Sequence, residues 1–305
     1  MYGSTKPATY FGWYDVEPAE FYRLLALLMY LGIILVPSID KAYSKKSLYN
    51  GLWCRAFLVK RRFKQIMCFL KLSNMDNQAN STDKLFKVCL LVEYIRSKSQ
   101  ALYQPNRELS IDERMVRNKG RYSWRQYIRD KPTKWVMKLW VLAEPATGYT
   151  YDFAIYLGKA AGVTTPEGGL AYNVVMDLVR RLANKEYNIF LDNFYTTIKL
   201  LKGLFLMGIG ACGIILSNRR GFPTGLKDIK QFDKRSKRGN FRFVRDGQVA
   251  TVQWRDNKTI SVASNFHSMN EAKEVFRRCK VDGRFQRLKL QQPIADYNRY
   301  TLRQK

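Results

Sequence analysis

Acidic side chains are scarce in this chain: 25 Asp and Glu stand against 53 Lys and Arg, a formal charge of +28. There is one histidine, His267, so Ser-His or Cys-His catalysis would have a single base to draw on, and a loop position is the simpler reading. The five cysteines, Cys54, Cys68, Cys89, Cys212 and Cys279, are widely spaced and contain no Cys-x-x-Cys. That pattern argues against a zinc cluster or a disulfide framework and for reduced, apolar thiols. Long hydrophobic runs are also lacking. The longest, Leu24 to Val36, falls short of the roughly 20 residues a spanning helix needs, so no membrane partner is expected. Tyr10, Phe11, Trp13 and Asp15 do not make the charged-then-apolar pattern of a secretory leader. Gly158, Gly162, Gly168 and Gly169 fit no phosphate-loop spacing, which leaves nucleotide binding unsupported.

What is present is a chain of 305 residues, 46% hydrophobic, enough for two or three packed domains. Its basic excess suits a polyanion, and without an anchor segment that polyanion is nucleic acid. Residues 18 to about 104 read as helical. The apolar stretch Phe21–Ile34 is one helix. Phe57–Leu72 is a second, with Lys60, Arg61, Arg62 and Lys64 as its polar face. Lys84–Tyr103 is a third, burying Leu85, Val88, Val92 and Ile95, with Ser81 or Thr82 as its cap. After Pro105 the period changes. Glu108–Val116, Thr133–Leu142 and Tyr151–Leu157 form an antiparallel meander. A helix at Ala171–Asn184, a strand at Asn188–Leu191, a helix at Thr197–Met207 and a strand at Ala211–Leu216 follow. This is an α/β order, one mixed sheet flanked by helices. Phe241–Val244, Val249–Trp254 and Thr259–Ala263 read as hairpin strands, turning at Asp246-Gly247. The division expected is 1–104 helical, 105–218 core, 219–268 a small β-rich insertion, and 269–305 a partly helical remainder of the core.

Two aspartates stand at the ends of apolar runs: Asp112 after Leu109-Ser110-Ile111, and Asp192 after Ile189-Phe190-Leu191. Carboxylates are the hard oxygen ligands that Mg²⁺ and Mn²⁺ prefer. The plainer readings are a helix cap for Asp192 and a solvated edge-strand pair with Glu113 for Asp112. Residues 114–138 hold nine Lys and Arg and one acid, interleaved with Tyr122, Trp124, Tyr127 and Trp135. Arg121, Arg125, Arg129, Lys131 and Lys134 are the phosphate candidates there, and Trp135 is expected in the core. Residues 219–258 contain twelve Lys and Arg and four Asp, and within them 219–245 form a second basic patch that includes Arg219, Arg220, Lys234, Arg235, Lys237 and Arg238. A solvated basic loop is the competing account. Trp254 reads as a core anchor.

A set of short motifs in order resembles the transposase domain of the piggyBac family. They are Ser110-Ile-Asp-Glu-Arg-Met, Lys119-Gly-Arg, Gln126-Tyr-Ile, Lys131-Pro-Thr-Lys-Trp, Lys138-Leu-Trp, Thr147-Gly-Tyr, Tyr156-Leu-Gly-Lys and Leu191-Asp-Asn-Phe-Tyr-Thr. Arg61-Arg-Phe-Lys-Gln-Ile-Met lies upstream; Trp254-Arg-Asp-Asn-Lys and Asp296-Tyr-Asn lie downstream. The resemblance spans residues 20 to 300 or so. It implies an RNase H-like core with an inserted β subdomain, cut-and-paste transposition at TTAA-type ends of double-stranded DNA, a homodimer and action in the nucleus. It also implies three aspartates holding two Mg²⁺ or Mn²⁺ ions. Asp112 and Asp192 fall on the first two positions. The third lies in a Gly-Val-Asp after a Tyr-Asn pair, whereas Tyr297-Asn298 is followed here by Arg-Tyr-Thr-Leu-Arg-Gln-Lys, with Lys305 about where the acid stands. Impaired catalysis is the expectation, with Asp282 and Asp296 as substitutes out of context. Three functions stay open: a DNA-binding relative that does not cut, an active transposase, and an RNA-binding or chromatin protein.

Overall fold

The structure is a computed structural model that describes residues 12–49, 51–72, 83–118, 120, 122–129, 134–158, 168–278 and 285–301. The chain divides into two units, residues 1–92 and 93–305. In the first, α1 (Pro18–Ile33), α2 (Ile39–Ala42), α3 (Cys54–Phe57) and α4 (Lys60–Phe69) pack around Leu24, Leu27, Tyr43, Cys54, Phe63 and Ile66. Proline at the first turn of α1 forfeits no intrahelical bond there, and the Ser38 hydroxyl caps α2. Arg62 departs from the expected polar face of α4. It is buried, with Nε and Nη2 donating to the Glu20 carboxylate at 2.6 and 2.5 Å and its guanidinium under the Tyr14 ring at 3.6 Å. A buried arginine needs its charge matched, and Glu20 supplies the match through a two-pronged contact with Nε and Nη2.

The second unit begins within α5 (Cys89–Ala101), which buries none of its side chains; Ile95, expected inward, is 43% exposed. The body is a nine-stranded sheet. The strands are β1 (Glu108–Arg117), β2 (Gln126–Tyr127), β3 (Trp135–Ala143), β4 (Thr150–Ile155), β5 (Asn188–Leu191), β6 (Gly210–Ile214), β7 (Phe241–Asp246), β8 (Val249–Arg255) and β9 (Thr259–Ser264). β1, β3 and β4 are the antiparallel meander; β5 and β6 join β1 in parallel. The order β4-β3-β1-β5-β6 is the RNase H-like sheet. The strands read as a separate β insertion continue this same sheet, because β9 pairs with β6 and is followed outward by β8 and β7.

Alternation along the strands gives the sheet two apolar faces. Leu109, Ile111, Trp140, Leu142, Ile189, Leu191 and Ala211 pack with α6 (Gly169–Val179) and α7 (Ile198–Leu206). Phe190, Cys212, Val252, Trp254 and Val262 pack on the other side with α9 (Gln292–Tyr300). Trp254 is the core anchor expected of it, 1% exposed, its indole N–H donating to Lys289 O at 2.9 Å. Between β6 and α9 the chain adds a short helix, α8 (Ile229–Arg235), and a hairpin, β10 (Ala272–Arg278) with β11 (Phe285–Gln291). None of α8, β2 or the hairpin is foreseen by periodicity.

Candidate metal centre and nucleic-acid surface

The last paired residues of the parallel β1–β5 ladder are Ile111 and Leu191. The next residue on each strand is therefore Asp112 and Asp192, side by side at the carboxyl end of the sheet though eighty positions apart in sequence. Ile111 and Leu191 face α6 and α7, so by alternation both aspartates point to the α9 face. Carboxyl ends of parallel strands are where α/β sheets open to ligands. Asp192 is not the cap of α7. Thr197 is, its Oγ1 accepting from Leu200 N at 3.1 Å.

The turn that carries Asp192 is densely bonded. Asp192 O accepts from Tyr195 N (3.1 Å), Thr196 N (3.2 Å) and Thr196 Oγ1 (2.9 Å), while the Asp192 carboxylate accepts from Asn193 N at 2.6 Å. β6 presses against this turn at Gly213. A methyl group there would stand 2.2 Å from Thr196 Oγ1 and 2.5 Å from Leu191 O, so only glycine fits.

Tyr195 packs with Ile111 and Leu191 on the α6 and α7 side of the sheet, 1% exposed, and among the described residues its hydroxyl has no hydrogen-bond partner. Burial, then the charges of Glu113, Asp112 and Asp192, push its phenol far above the ordinary tyrosine range. Tyr297 of α9 is pushed up to about 12 by burial first and Asp192 next, which places α9 against the same corner. A buried hydroxyl without a partner is costly unless something else uses it. The two carboxylates at this corner are hard oxygen donors of the kind a divalent cation takes. Asp112 and Asp192 would be the residues to hold such an ion.

Glu113 alternates to the other face and is held by Lys138 Nζ at 2.5 Å. The Lys138 ammonium also lies 5.2 Å from the Phe194 ring centre and 5.6 Å from that of Tyr156. Asp296, a substitute acid by sequence, is turned away. Its carboxylate accepts from Gln292 Nε2 at 2.6 Å and meets His267 Nε2 at 3.1 Å. His267 is a loop residue as expected, but a buried one, with Nδ1 2.8 Å from Ser264 Oγ. Asp282 and Lys305 lie outside the described residues. Among the described residues no group of three His, Cys, Asp or Glu is arranged to hold a metal ion.

The basic candidates separate into engaged and exposed. Arg125 lies 4.0 Å over the Trp135 ring, and its Nη1 donates to Gly120 O. Trp135 is not in the core. It is 45% exposed, because Val136 takes the inward position at the start of β3 and Trp135 alternates outward beside Tyr127, itself 52% exposed. Arg129, Lys134, Arg220 and Lys237 are exposed. Arg238 is paired with Asp256 at 2.6 Å, and Arg219 donates to the backbone of the Asp192 turn at Asn193 O (2.7 Å) and Phe194 O (3.0 Å). Arg121 and Lys131 lie outside the described residues. Tyr195, Lys138 and Gly213 were not singled out from sequence. Tyr195 and Lys138 sit within ordered motifs. The signal for Lys138 is its two-residue step from Trp140 on one strand face.

A family model described as Transposase IS4 matches residues 3–303. The human PiggyBac transposable element-derived protein 3 is 27% identical over 292 residues, covering 92% of this chain and 48% of that protein. The human PiggyBac transposable element-derived protein 2 is 26% identical over 211 residues, covering 67% of this chain and 35% of its own. The chain thus spans half or less of the length of these curated relatives. Among solved structures, a piggyBac transposase in a synaptic complex with hairpin DNA superposes with a TM-score of 0.73 at 21% identity, over 97% of this chain and 60% of that one.

Proposed function

Because the chain belongs to the piggyBac-type Transposase IS4 family, we propose that it is a transposase-derived DNA-binding protein whose Asp112 and Asp192 are two ligands of a divalent-metal site. The single observation that carries this is the β1–β5 register, which brings the two aspartates together at the open end of the sheet. The donor set is hard oxygen, so Mg²⁺ or Mn²⁺ is the ion that would suit it. When bound, such ions polarise a phosphate and activate an attacking oxygen. The chain's own residues present the two carboxylates, hold the Asp192 turn rigid and keep Glu113 away through Lys138.

Double-stranded DNA is the partner this reading assigns, with Arg129, Lys134, Arg220 and Lys237 meeting phosphates. Support comes from the charge of +28 and from a structural relative described in complex with hairpin DNA. Two carboxylates are fewer than a two-metal centre uses, so strand cleavage requires a third acid beyond those the described residues bring to this corner. On this account the chain as given binds DNA without cutting it. The reading extends to a homodimer on TTAA-type ends, acting in the nucleus.

The test is a Mn²⁺ titration followed by electron paramagnetic resonance, together with a nicking assay on end-containing duplex. Mn²⁺ binding that Asp192→Asn weakens at least tenfold, without nicking, is the expected result. Unchanged Mn²⁺ binding in both Asp112→Asn and Asp192→Asn would overturn the metal reading. Nicking that depends on Asp192 would favour the second reading, an active transposase.

A further inference from the structure

Arg219 and Arg220 are adjacent arginines in one basic stretch, yet they sit in different places. Arg220 is exposed. Arg219 is half-buried, and Nη2 donates to Asn193 O at 2.7 Å and Phe194 O at 3.0 Å. Those are the two carbonyls that follow Asp192 O, which already accepts from Tyr195 N, Thr196 N and Thr196 Oγ1. Three successive carbonyls of the turn are thus held, the first by the turn itself and the next two by one guanidinium.

We propose that Arg219 is a positioning residue: it clamps the turn between β5 and α7 and so aims the Asp192 carboxylate, while Arg220 is the member of the pair free to meet a DNA phosphate. The inference deepens the metal and DNA reading above and rests on it for its meaning, though the clamp itself stands on geometry alone. Arg219 reaches the turn from the segment after β6, and β6 touches the same turn at Gly213. The turn is therefore gripped from one neighbouring element at two points. A guanidinium suits the task because it stays charged at every working pH and its planar Nη2 carries two N–H donors, enough for both carbonyls. A side chain whose amino group is committed to backbone has less to offer a phosphate, and releasing few counterions it would add little to the salt dependence of binding.

The experiment has two arms on the whole chain without metal. In the first, amide hydrogen exchange is followed at Tyr195 and Thr196, with β8 amides as the global reference. Arg219→Ala is expected to speed exchange at Tyr195 and Thr196 at least tenfold while β8 is unchanged, Arg219→Lys to do so less, and Arg220→Ala not at all. In the second, duplex affinity is measured against salt. Arg220→Ala is expected to flatten the log K against log[salt] slope by about 0.9, the loss of one phosphate contact, and Arg219→Ala to leave it unchanged. Unaltered exchange at Tyr195 and Thr196 in Arg219→Ala overturns the clamp, as does a slope loss equal to that of Arg220→Ala. If Arg219→Ala unfolds, seen as faster exchange in β8 too, Arg219→Lys decides by the same criterion. If no variant or parent binds DNA, the DNA reading fails while the exchange arm still judges the clamp.

Discussion

Two single residues set the tolerance of the acidic corner. Gly213→Ala would drive a methyl group into the Thr196 hydroxyl, held by its bond to Asp192 O, and into the backbone carbonyl of Leu191 in β5. Overpacking of this kind costs about 1–3 kcal/mol, so urea unfolding is expected to move to lower midpoint with little change in slope. Tyr195→Phe has the opposite expectation. It removes a buried hydroxyl that has no partner among the described residues, so the metal-free protein is expected to be as stable or more stable, by up to about 1 kcal/mol, in the same urea experiment. Mn²⁺ affinity measured in parallel is expected to stay unchanged, because Tyr195 packs on the face of the sheet opposite to the two aspartates. These positions also show what sequence reveals at this scale. Asp112 and Asp192 stand out in the sequence because each ends an apolar run. Tyr195 does not, since nothing in Asp-Asn-Phe-Tyr-Thr tells which aromatic ring turns inward. Here Phe194 is 37% exposed and Tyr195 1%.

Among elements, legibility followed periodicity and burial. β5 was found to the residue and α7 within one, because each is an apolar run bounded by a turn, and Gly208 in a left-handed conformation follows the end of α7. α5 was found but misjudged: its apolar residues have helical spacing, yet none is buried. Arg62 failed for the reverse reason, since a charge reads as surface until its partner, Glu20, is placed beside it. The placement of α9 adds a testable pH effect. Burial lowers the His267 pKa despite Asp296, with Glu271 also acting to raise it, and Lys273 stands 4.0 Å from Asp296. A histidine held neutral in the fold takes its proton first in the unfolded chain. Its contribution is whole above the unfolded pKa near 6.5 and is lost as pH falls towards the lower folded value. Melting temperature is therefore expected to drop between pH 7 and pH 5, and His267→Gln to flatten that part of the profile relative to the parent.

Across the whole molecule the charge of +28 is the property that reaches furthest. Duplex affinity is expected to fall linearly in log K against log[salt], and a nearly flat line would remove phosphate contact as the basis of binding. The sheet order was only partly readable. Meander, helix, strand, helix and strand follow from the period of the sequence, but that β7, β8 and β9 extend the same sheet depends on β9 meeting β6, a pairing between strands about fifty residues apart. The parallel pairing of β1 with β5 is longer in range still, with β3, β4 and α6 lying between the two strands in sequence. Contacts of such separation form slowly, because the loop between them must be closed before any bond rewards it. The two aspartates are consequently strangers in the nascent chain and become neighbours only once the meander has collapsed. A divalent ion added at the start of refolding is then expected to leave the early phases unaltered and to act on the last one, so that the acidic corner serves as a clock hand marking when this fold is complete.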